Sequence, residues 1–345
     1  MFENGTCLCG QVPFLFAAAV LLVYPHINQD DGVSHMQYAF DIGGSKIEFG
    51  VFSDDGDILL HSKTPTPKDN LEAFVAVISD VLGEADQEFG ARPDIGISFA
   101  GGVDPKNGAV ISANIPAIKG WSLASELSTI LSRKVLVEND ADCFALAEAM
   151  SGAAKDARTV FAIILGTGVG GGIVVDGKFI GGKSGVRGEW GHGNDVTGTL
   201  IRSGLAPVTC GCGQTGCLDA WGGARGLENI HVQISGNQIT SFEITDAWRA
   251  GDAHAARTIE IYCELVAREL ALMVNVLDPD CVPVGGGIAS EHVLIAQIDA
   301  LVRQRVLGRY EAPLVVSGGS AGDGGLRGEA MLHLNDNNLS HRNGE

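Results

Sequence analysis

The sequence predicts a mixed α/β protein of two domains with a cleft between them, and three observations carry that prediction. A strand-like run, a glycine-rich turn and a second strand occur twice: Tyr38-Ala-Phe-Asp-Ile-Gly-Gly44 leads into Ile47–Phe52, and Val160–Leu165 leads through Gly166–Gly172 into Ile173–Val175. This is an internal repeat of architecture rather than of residue identity. Runs with helical spacing alternate with the strands. A chain of 345 residues, 45% hydrophobic and 19% charged, is long and apolar enough to fill two cores.

Residues 1–35 are read as an extension outside the fold. The apolar stretch Val12–Tyr24 is short for a bilayer span, and no Lys or Arg precedes it as a secretory signal requires. Met36 stands just before the first strand. Residues 36–150 are expected to form the smaller N-terminal α/β domain. Its hairpin turns at Asp54-Asp-Gly-Asp57, and Asp69 is placed to cap a helix whose apolar positions are Leu71, Phe74, Val75, Ile78 and Leu82. Ile95–Phe99 and Val135–Val137 read as buried strands, and Asp140–Met150 as a helix. Residues 151–321 are expected to form the larger domain, with a hairpin at Asp176-Gly177, a long helix over Ala255–Leu277 stopped by Pro279, and a helix from Glu291 to Leu307. Residues 322–334 read as a short helix and 335–345 as a polar tail.

The net charge of −19 excludes a nucleic-acid or anionic-membrane partner, which would need clustered Lys and Arg. It does not exclude a nucleotide, which needs only a local nest of amides. Cys143, Cys263 and Cys281 lie singly in apolar segments and read as buried thiols of a reducing, cytoplasmic compartment.

Four segments carry chemistry. Cys210-Gly-Cys212-Gly-Gln-Thr-Gly-Cys217, with His192 upstream, offers the three thiolates and one imidazole of a closed structural Zn²⁺ site. A disulfide is the alternative, but Cys210 and Cys212 are too close in sequence to pair comfortably. Glu189 shares the His192 loop, so a metal there would also immobilise that carboxylate. Asp41-Ile-Gly43-Gly44-Ser45-Lys46 places a carboxylate, turn amides, a hydroxyl and a cation where a triphosphate and Mg²⁺ could sit. An ordinary glycine hairpin is the other reading. The second run, Gly166-Thr167-Gly168-Val169-Gly170-Gly171-Gly172, offers further amides, and two such turns after two apolar strands are more specific than one. Glu138-Asn139-Asp140 sits where a strand hands over to a helix. Asp140 is there either a helix cap or a base facing the cleft, and Asn139 can hold hydroxyls with its amide.

These motifs, in this order, together with Val284-Gly-Gly-Gly287, resemble the ROK family (repressor, open reading frame, kinase), over roughly Met36 to Leu334. Within it, Thr64-Pro-Thr-Pro67, Ser112-Ala-Asn-Ile-Pro116 and Gly322-Asp-Gly-Gly-Leu-Arg-Gly328 are most similar to bacterial N-acetylglucosamine kinases. The resemblance implies the actin-like ATPase (ribonuclease H-like) fold, ATP and Mg²⁺ as cofactors, and a homodimer. It makes Asp140 the general base for a sugar 6-hydroxyl. Asn114, Asn139, Glu189, His192 and Asp219 would hold the sugar, Asp41–Lys46 and Gly166–Gly172 the phosphates and Mg²⁺, and His192, Cys210, Cys212 and Cys217 the zinc. Gly285–Gly287 would lie near the adenosine. Ser45 replaces the family's usual threonine and keeps the hydroxyl. Asp219 replaces a glutamate that contacts the sugar, which leaves glucose, fructose, mannose or N-acetylmannosamine as alternative substrates. A sugar-responsive repressor would need a basic DNA-binding helix pair, which residues 1–35 lack. In a non-catalytic sugar sensor, Asp140 and both phosphate turns would be redundant.

Overall fold

The computed structural model describes residues 22–23 and 36–330, apart from 54, 105, 112–114, 181–182, 184–185, 320–326 and 329. After an edge strand, β1 (Leu22–Val23), the strands β2 (Gln37–Ile42), β3 (Lys46–Phe52) and β4 (Ile58–Pro65) form an antiparallel meander. Helix α1 (Leu71–Phe89) leads to β5 (Ile95–Phe99), parallel to β2. A ribbon of β6 (Gly102–Val103) and β7 (Val110–Ile111) and then α2 (Leu123–Leu131) lead to β8 (Val135–Asn139), parallel to β5. The second half begins with α3 (Asp140–Met150) and a second hairpin, β9 (Thr159–Leu165) and β10 (Val169–Val175), followed by β11 (Lys178–Phe179). Then come α4 (Thr197–Arg202), α5 (Asp219–Gly222), α6 (Ala224–Ser235), α7 (Ser241–Arg249) and α8 (Ala253–Leu277). The parallel strands β12 (Val282–Gly285) and β13 (Val315–Ser317) flank α9 (His292–Arg303).

The sheets run β1-β4-β3-β2-β5-β8 and β11-β10-β9-β12-β13. With β1 set aside, both place the first strand of their half in the middle, its two hairpin partners on one side and two parallel strands on the other. The repeat read from the two glycine-rich hairpins is therefore a repeat of sheet topology.

Local signals explain the element ends. Asn70, one residue beyond the expected Asp69, caps α1 by accepting from Ala73 N at 2.8 Å. Gly90 ends the helix in the left-handed region. Asp176 and Gly177 both have positive φ, as a two-residue hairpin turn requires. Asp252 caps α8 and Asp278 closes it just before Pro279. Helices α6 and α7 escaped the sequence reading, although α7 carries a full capping box between Thr240 and Glu243.

One core gathers Tyr38, Phe40, Phe49, Phe74 and Phe99 around the first sheet, and another gathers Phe161, Trp221, Tyr262 and Leu265 around the second. Helix α3 joins them. Residues Ala141 to Ala149 are all buried, so the helix has no solvent face. It follows β8 in the chain, yet Phe144, Ala145 and Ala149 pack with Val160, Ala162 and Val174 of the second sheet. The boundary expected at residue 150 thus falls at the end of a helix that both halves share.

Of the stretch 1–35, Leu22–Val23 are described, and they pair with Leu60 and His61 at the edge of the first sheet. Of the helix expected at 322–334, Arg327, Gly328 and Ala330 are described. Ala330 packs with Ala39 and Phe52, and Arg327 Nη1 donates to Gly56 O at 3.2 Å. Cys7, Cys9 and the tail 335–345 lie outside the described residues. Cys143 and Cys263 are buried thiols and Cys281 is partly buried. Among the described residues, no helix is long and apolar enough to cross a membrane.

Candidate active site

In-register pairing lines up three strand ends. Ile42 lies beside Phe99 and Phe99 beside Asn139, so the Gly43 turn, the Gly101 turn and Asp140 emerge together at the carboxyl ends of parallel strands. Open α/β sheets bind ligands at that edge.

Asp41 is held by Ser98, whose Oγ donates to Oδ1 at 3.1 Å. Burial raises its pKa, and the Glu48 charge adds to the effect against the pull of Ser98. The turn that follows is pinned by Gly43 N donating to Lys46 O at 2.9 Å and Thr66 Oγ1 donating to Gly43 O at 2.6 Å. Gly44 and Ser45 form its open tip. Lys46 does not project freely: its ammonium pairs with Glu48, a nearly enclosed carboxylate that also meets His61 at 2.9 Å and Lys63 at 3.2 Å. Burial alone would raise the Glu48 pKa, but these three partners together hold it low.

At the β8–α3 junction the two readings of Asp140 separate. Asn139 is the helix cap, its Oδ1 accepting from Ala141 N at 2.9 Å and Asp142 N at 3.4 Å. Its Nδ2 donates to Gly101 O at 3.0 Å, which leaves one amide hydrogen for a substrate. Asp140 is released from capping. It sits deep but keeps some exposure, accepts from Ala141 N at 2.9 Å, and has its pKa pushed up to about 6. Burial is the largest cause, followed by the charge of Asp41 and, more weakly, that of Glu189. A carboxylate in that range can be ionised at neutral pH and still take a proton.

Glu189 and His192 lie on the loop after β11. Gly188 has φ +69, and a Cβ there would meet Gly171 O at 1.9 Å, so only glycine allows the loop to lie on β10. Trp190 is buried and its Nε1 donates to Gly170 O at 2.8 Å. Burial raises the Glu189 pKa, His192 opposing and Asp219 adding to it. His192 Nε2 lies 3.8 Å from Glu189 Oε2. Its other nitrogen, Nδ1, faces Cys210 Sγ at 3.6 Å, and Cys212 Sγ lies 3.6 Å from Cys217 Sγ. The four candidate ligand atoms all lie within 4.8 Å of one another. A tetrahedral zinc ion with its usual bond lengths has S···S and S···N edges of about 3.8 and about 3.6 Å. The donor set fits that ion in both chemistry and spacing.

Asp219 opens α5, and its carboxylate is engaged within the protein. Its Oδ1 accepts from Val169 N at 2.9 Å and its Oδ2 lies 3.5 Å from Cys210 Sγ, while its own N–H donates to Gly191 O at 2.9 Å. The second glycine run divides in two. Gly166, Thr167 and Gly168 form a turn that ends at Val169; Thr167 is exposed, and a Cβ at Gly168 would meet Asp219 Oδ1 at 2.4 Å. Gly170, Gly171 and Gly172 belong to β10, paired with Ile164, Ile163 and Ala162. A Cβ at Gly171 would meet Trp190 at 2.9 Å, and one at Gly172 would meet Ala141 O at 2.6 Å. These last glycines let the loop and α3 approach the strand, which gives them a packing role. Gly286, at φ +84, lies against Leu165 and Gly166, which places the third glycine cluster behind the same turn. Asn114 lies outside the described residues.

The structure thus brings Asp41, Asp140, Glu189, His192 and Asp219 into one electrostatic neighbourhood, and His192 joins it to the candidate ligand set of Cys210, Cys212 and Cys217. Sequence reasoning missed Ser98, Glu48 and Arg187. Arg187 stands directly before the Gly188–His192 motif, and its guanidinium pairs with Glu138 at 2.6 Å and Asp142 at 2.9 Å.

Residues 37–336 match the family model described as ROK. The chain belongs to the ROK family. It is 37% identical over 303 residues to an N-acetyl-D-glucosamine kinase of Shigella boydii serotype 4, covering 87% of this chain and all of that one. Among solved structures, the ROK hexokinase from Thermus thermophilus superposes with a TM-score of 0.77 at 31% identity, over 87% of this chain and 99% of the other. A ROK glucokinase from Streptomyces griseus, solved with glucose and AMPPNP, gives 0.70 at 29% identity, over 86% and 98%. The fold of this ROK chain is therefore the actin-like ATPase fold, two domains about a cleft.

Proposed function

We propose that the chain is an ATP-dependent sugar kinase that converts N-acetyl-D-glucosamine and ATP to N-acetyl-D-glucosamine 6-phosphate and ADP. One observation carries the chemistry: a deep-set carboxylate, Asp140, freed from capping by Asn139, with its pKa raised to about 6 where the parallel strands of the first sheet end. The 37% identity to a full-length N-acetyl-D-glucosamine kinase supports the choice of sugar.

In this reading Asp140 accepts the proton of the 6-hydroxyl as that oxygen bonds to the γ-phosphorus. The bond from the γ-phosphorus to the β–γ bridging oxygen breaks, and ADP leaves with its electron pair. Asn114, the remaining Asn139 amide hydrogen, Glu189 and His192 Nε2 hold ring substituents and fix the approach. Gly43, Gly44 and Ser45 on one side, and Gly166–Val169 on the other, present amides to the phosphates. Asp41, raised in pKa by burial and poised beside Asp140, would hold Mg²⁺, which supplies charge neutralisation to the phosphates when bound. His192 Nδ1, Cys210, Cys212 and Cys217 would hold zinc, which with four protein ligands has no open position and contributes rigidity. The homodimer and cytoplasmic setting expected from the resemblance belong to the same proposal.

The orientation of Asp219 favours a second reading. Its carboxylate is engaged by Val169 N, so the sugar loses a contact that the family's longer glutamate makes, and another hexose becomes the preferred acceptor. Sugar-dependent ADP release over a panel of glucose, fructose, mannose, N-acetylmannosamine and N-acetylglucosamine tests both. The highest kcat/KM on N-acetylglucosamine is expected. A higher value on another hexose selects the second reading, and no sugar-dependent release from folded protein defeats both.

A further inference from the structure

Arg187 is an unusual residue to bury. Its side chain is 16% exposed, and its three contacts come from three elements. Nη2 donates to Glu138 Oε2 on β8 at 2.6 Å, Nε lies 2.9 Å from Asp142 Oδ2 on α3, and the guanidinium carbon stands 4.9 Å from the Phe179 ring centroid on β11. Asp142 is 4% exposed in its side chain, and burial pushes its pKa up to about 7 against the pull of Arg187. Its Oδ1 has no hydrogen-bond partner among the described residues.

Stability alone does not account for such a pair. Desolvating both ions offsets most of their attraction, and apolar residues of similar size would serve as well or better. A planar guanidinium hydrogen-bonded to one carboxylate and ion-paired with a second instead specifies geometry. The geometry in question is that of the catalytic frame. Arg187 directly precedes Gly188, whose backbone already lies on β10, and it precedes Glu189 by two residues. Glu138 and Asp142 lie two residues to either side of Asp140. The loop is pressed onto the second sheet at Gly188 and tied at Arg187 to the end of the first sheet and to α3.

We propose that Arg187 is a positioning residue for phosphoryl transfer: it straps the loop carrying Glu189 and His192 to the β8–α3 junction carrying Asp140. The sugar is then gripped and deprotonated from a single rigid frame. This rests on the kinase reading above. A displacement of about 1 Å between gripping and reacting groups is enough to lower turnover by about 100-fold.

The test uses the full chain and three variants. Arg187→Met keeps the stem and removes the fork; Arg187→Lys keeps the charge; Arg187→Met/Asp142→Asn removes the unpaired buried carboxylate that would burden the single variant's folding. Arg187→Met is expected to lower kcat/KM for N-acetylglucosamine by about 10- to 100-fold while the KM for ATP stays within about twofold. Arg187→Lys is expected to recover part of the loss, because an ammonium restores attraction without the two-pronged geometry. The double variant is expected to melt close to the wild type and to keep the sugar defect. Wild-type sugar kinetics in the double variant would overturn the strap, as would a loss shared equally between sugar and ATP. If the wild type binds N-acetylglucosamine without turnover, the kinase reading fails. Calorimetric Kd values then test the strap: weaker sugar binding in Arg187→Met supports it and unchanged binding refutes it.

Discussion

Replacing Asp140 with asparagine should push activity and stability in opposite directions. The side chains are nearly isosteric, and the amide oxygen can still accept from Ala141 N, so the start of α3 is kept. As a base, Asp140 is worth about 10²–10⁴ in turnover. As a buried charge it is a burden. Its pKa rises from an ordinary 3.8 to about 6, chiefly through burial and then through the charge of Asp41. That rise corresponds to about 3 kcal/mol, and because the carboxylate keeps some exposure a working range is about 1–3 kcal/mol. The sign follows from proton counting. Between about pH 4 and pH 6 the folded chain keeps a proton that the unfolded chain has released, so this group's contribution to stability falls as pH rises through that window. Asp140→Asn should therefore be more stable than the wild type by about 1–3 kcal/mol at pH 8, with the gap closing toward pH 4. Denaturant titrations of both proteins at pH 5 and pH 8, beside ADP-release assays, measure the two effects. A variant that keeps near-normal turnover, or is less stable than the wild type at pH 8, refutes the assignment of Asp140 as a strained base.

Purified protein should carry about one zinc per chain. Cys212→Ala should lose it and bind sugar more weakly, while AMPPNP affinity stays within about threefold; a zinc-free wild type by metal analysis ends that argument. Gly172→Ala should cost about 1–3 kcal/mol by driving a Cβ against Ala141 O, and activity should fall with it. In contrast, Gly83→Ala in α1, where a Cβ meets nothing within 4 Å, should stabilise by about 0.5–1 kcal/mol. Thermal melts of the pair show whether the glycines of β10 are there for packing. Asp219→Ala leaves Val169 N without its acceptor at the second turn and should raise the KM for ATP by about 5- to 10-fold; a change confined to the sugar KM would restore Asp219 to the sugar pocket.

The two hairpins were legible because their signals are local: an apolar run, glycine or Asp-Gly at the reversal, then a second run. The long helix α8 was legible from its apolar period, with Pro279 marking its end. Helix α6 has no side-chain cap at its start, but Gly236 closes it in the left-handed region, a signal that was overlooked like the capping box of α7. The site was legible where chemistry fixes spacing, as in the three thiols. It was less legible where one residue type serves two purposes. Gly166–Gly172 looks uniform as sequence, yet its first part turns the chain against Asp219 and its last part clears space for α3 and Trp190. Spacing does not reveal which neighbour a missing Cβ makes room for. Arg187 was invisible for a related reason, since its partners, Glu138 and Asp142, are brought to it only by tertiary packing.

Asp219 shows how zinc, once bound by His192 and the neighbouring thiols, would matter to both substrates of the proposed reaction. Its N–H holds Gly191 O, in the loop that carries Glu189 and His192; its carboxylate holds Val169 N, at the end of the second glycine turn. It lies two residues after Cys217, so the loop of candidate zinc ligands, the loop proposed to hold the sugar and the turn proposed to hold the phosphates converge on one short carboxylate. A glutamate reaching toward the sugar would leave Val169 N to find another acceptor. The aspartate instead commits that oxygen to the turn, so losing the zinc should disturb the phosphate turn through Asp219 less than it disturbs His192, which the metal would touch directly. Sugar affinity should therefore respond to zinc removal before nucleotide affinity does.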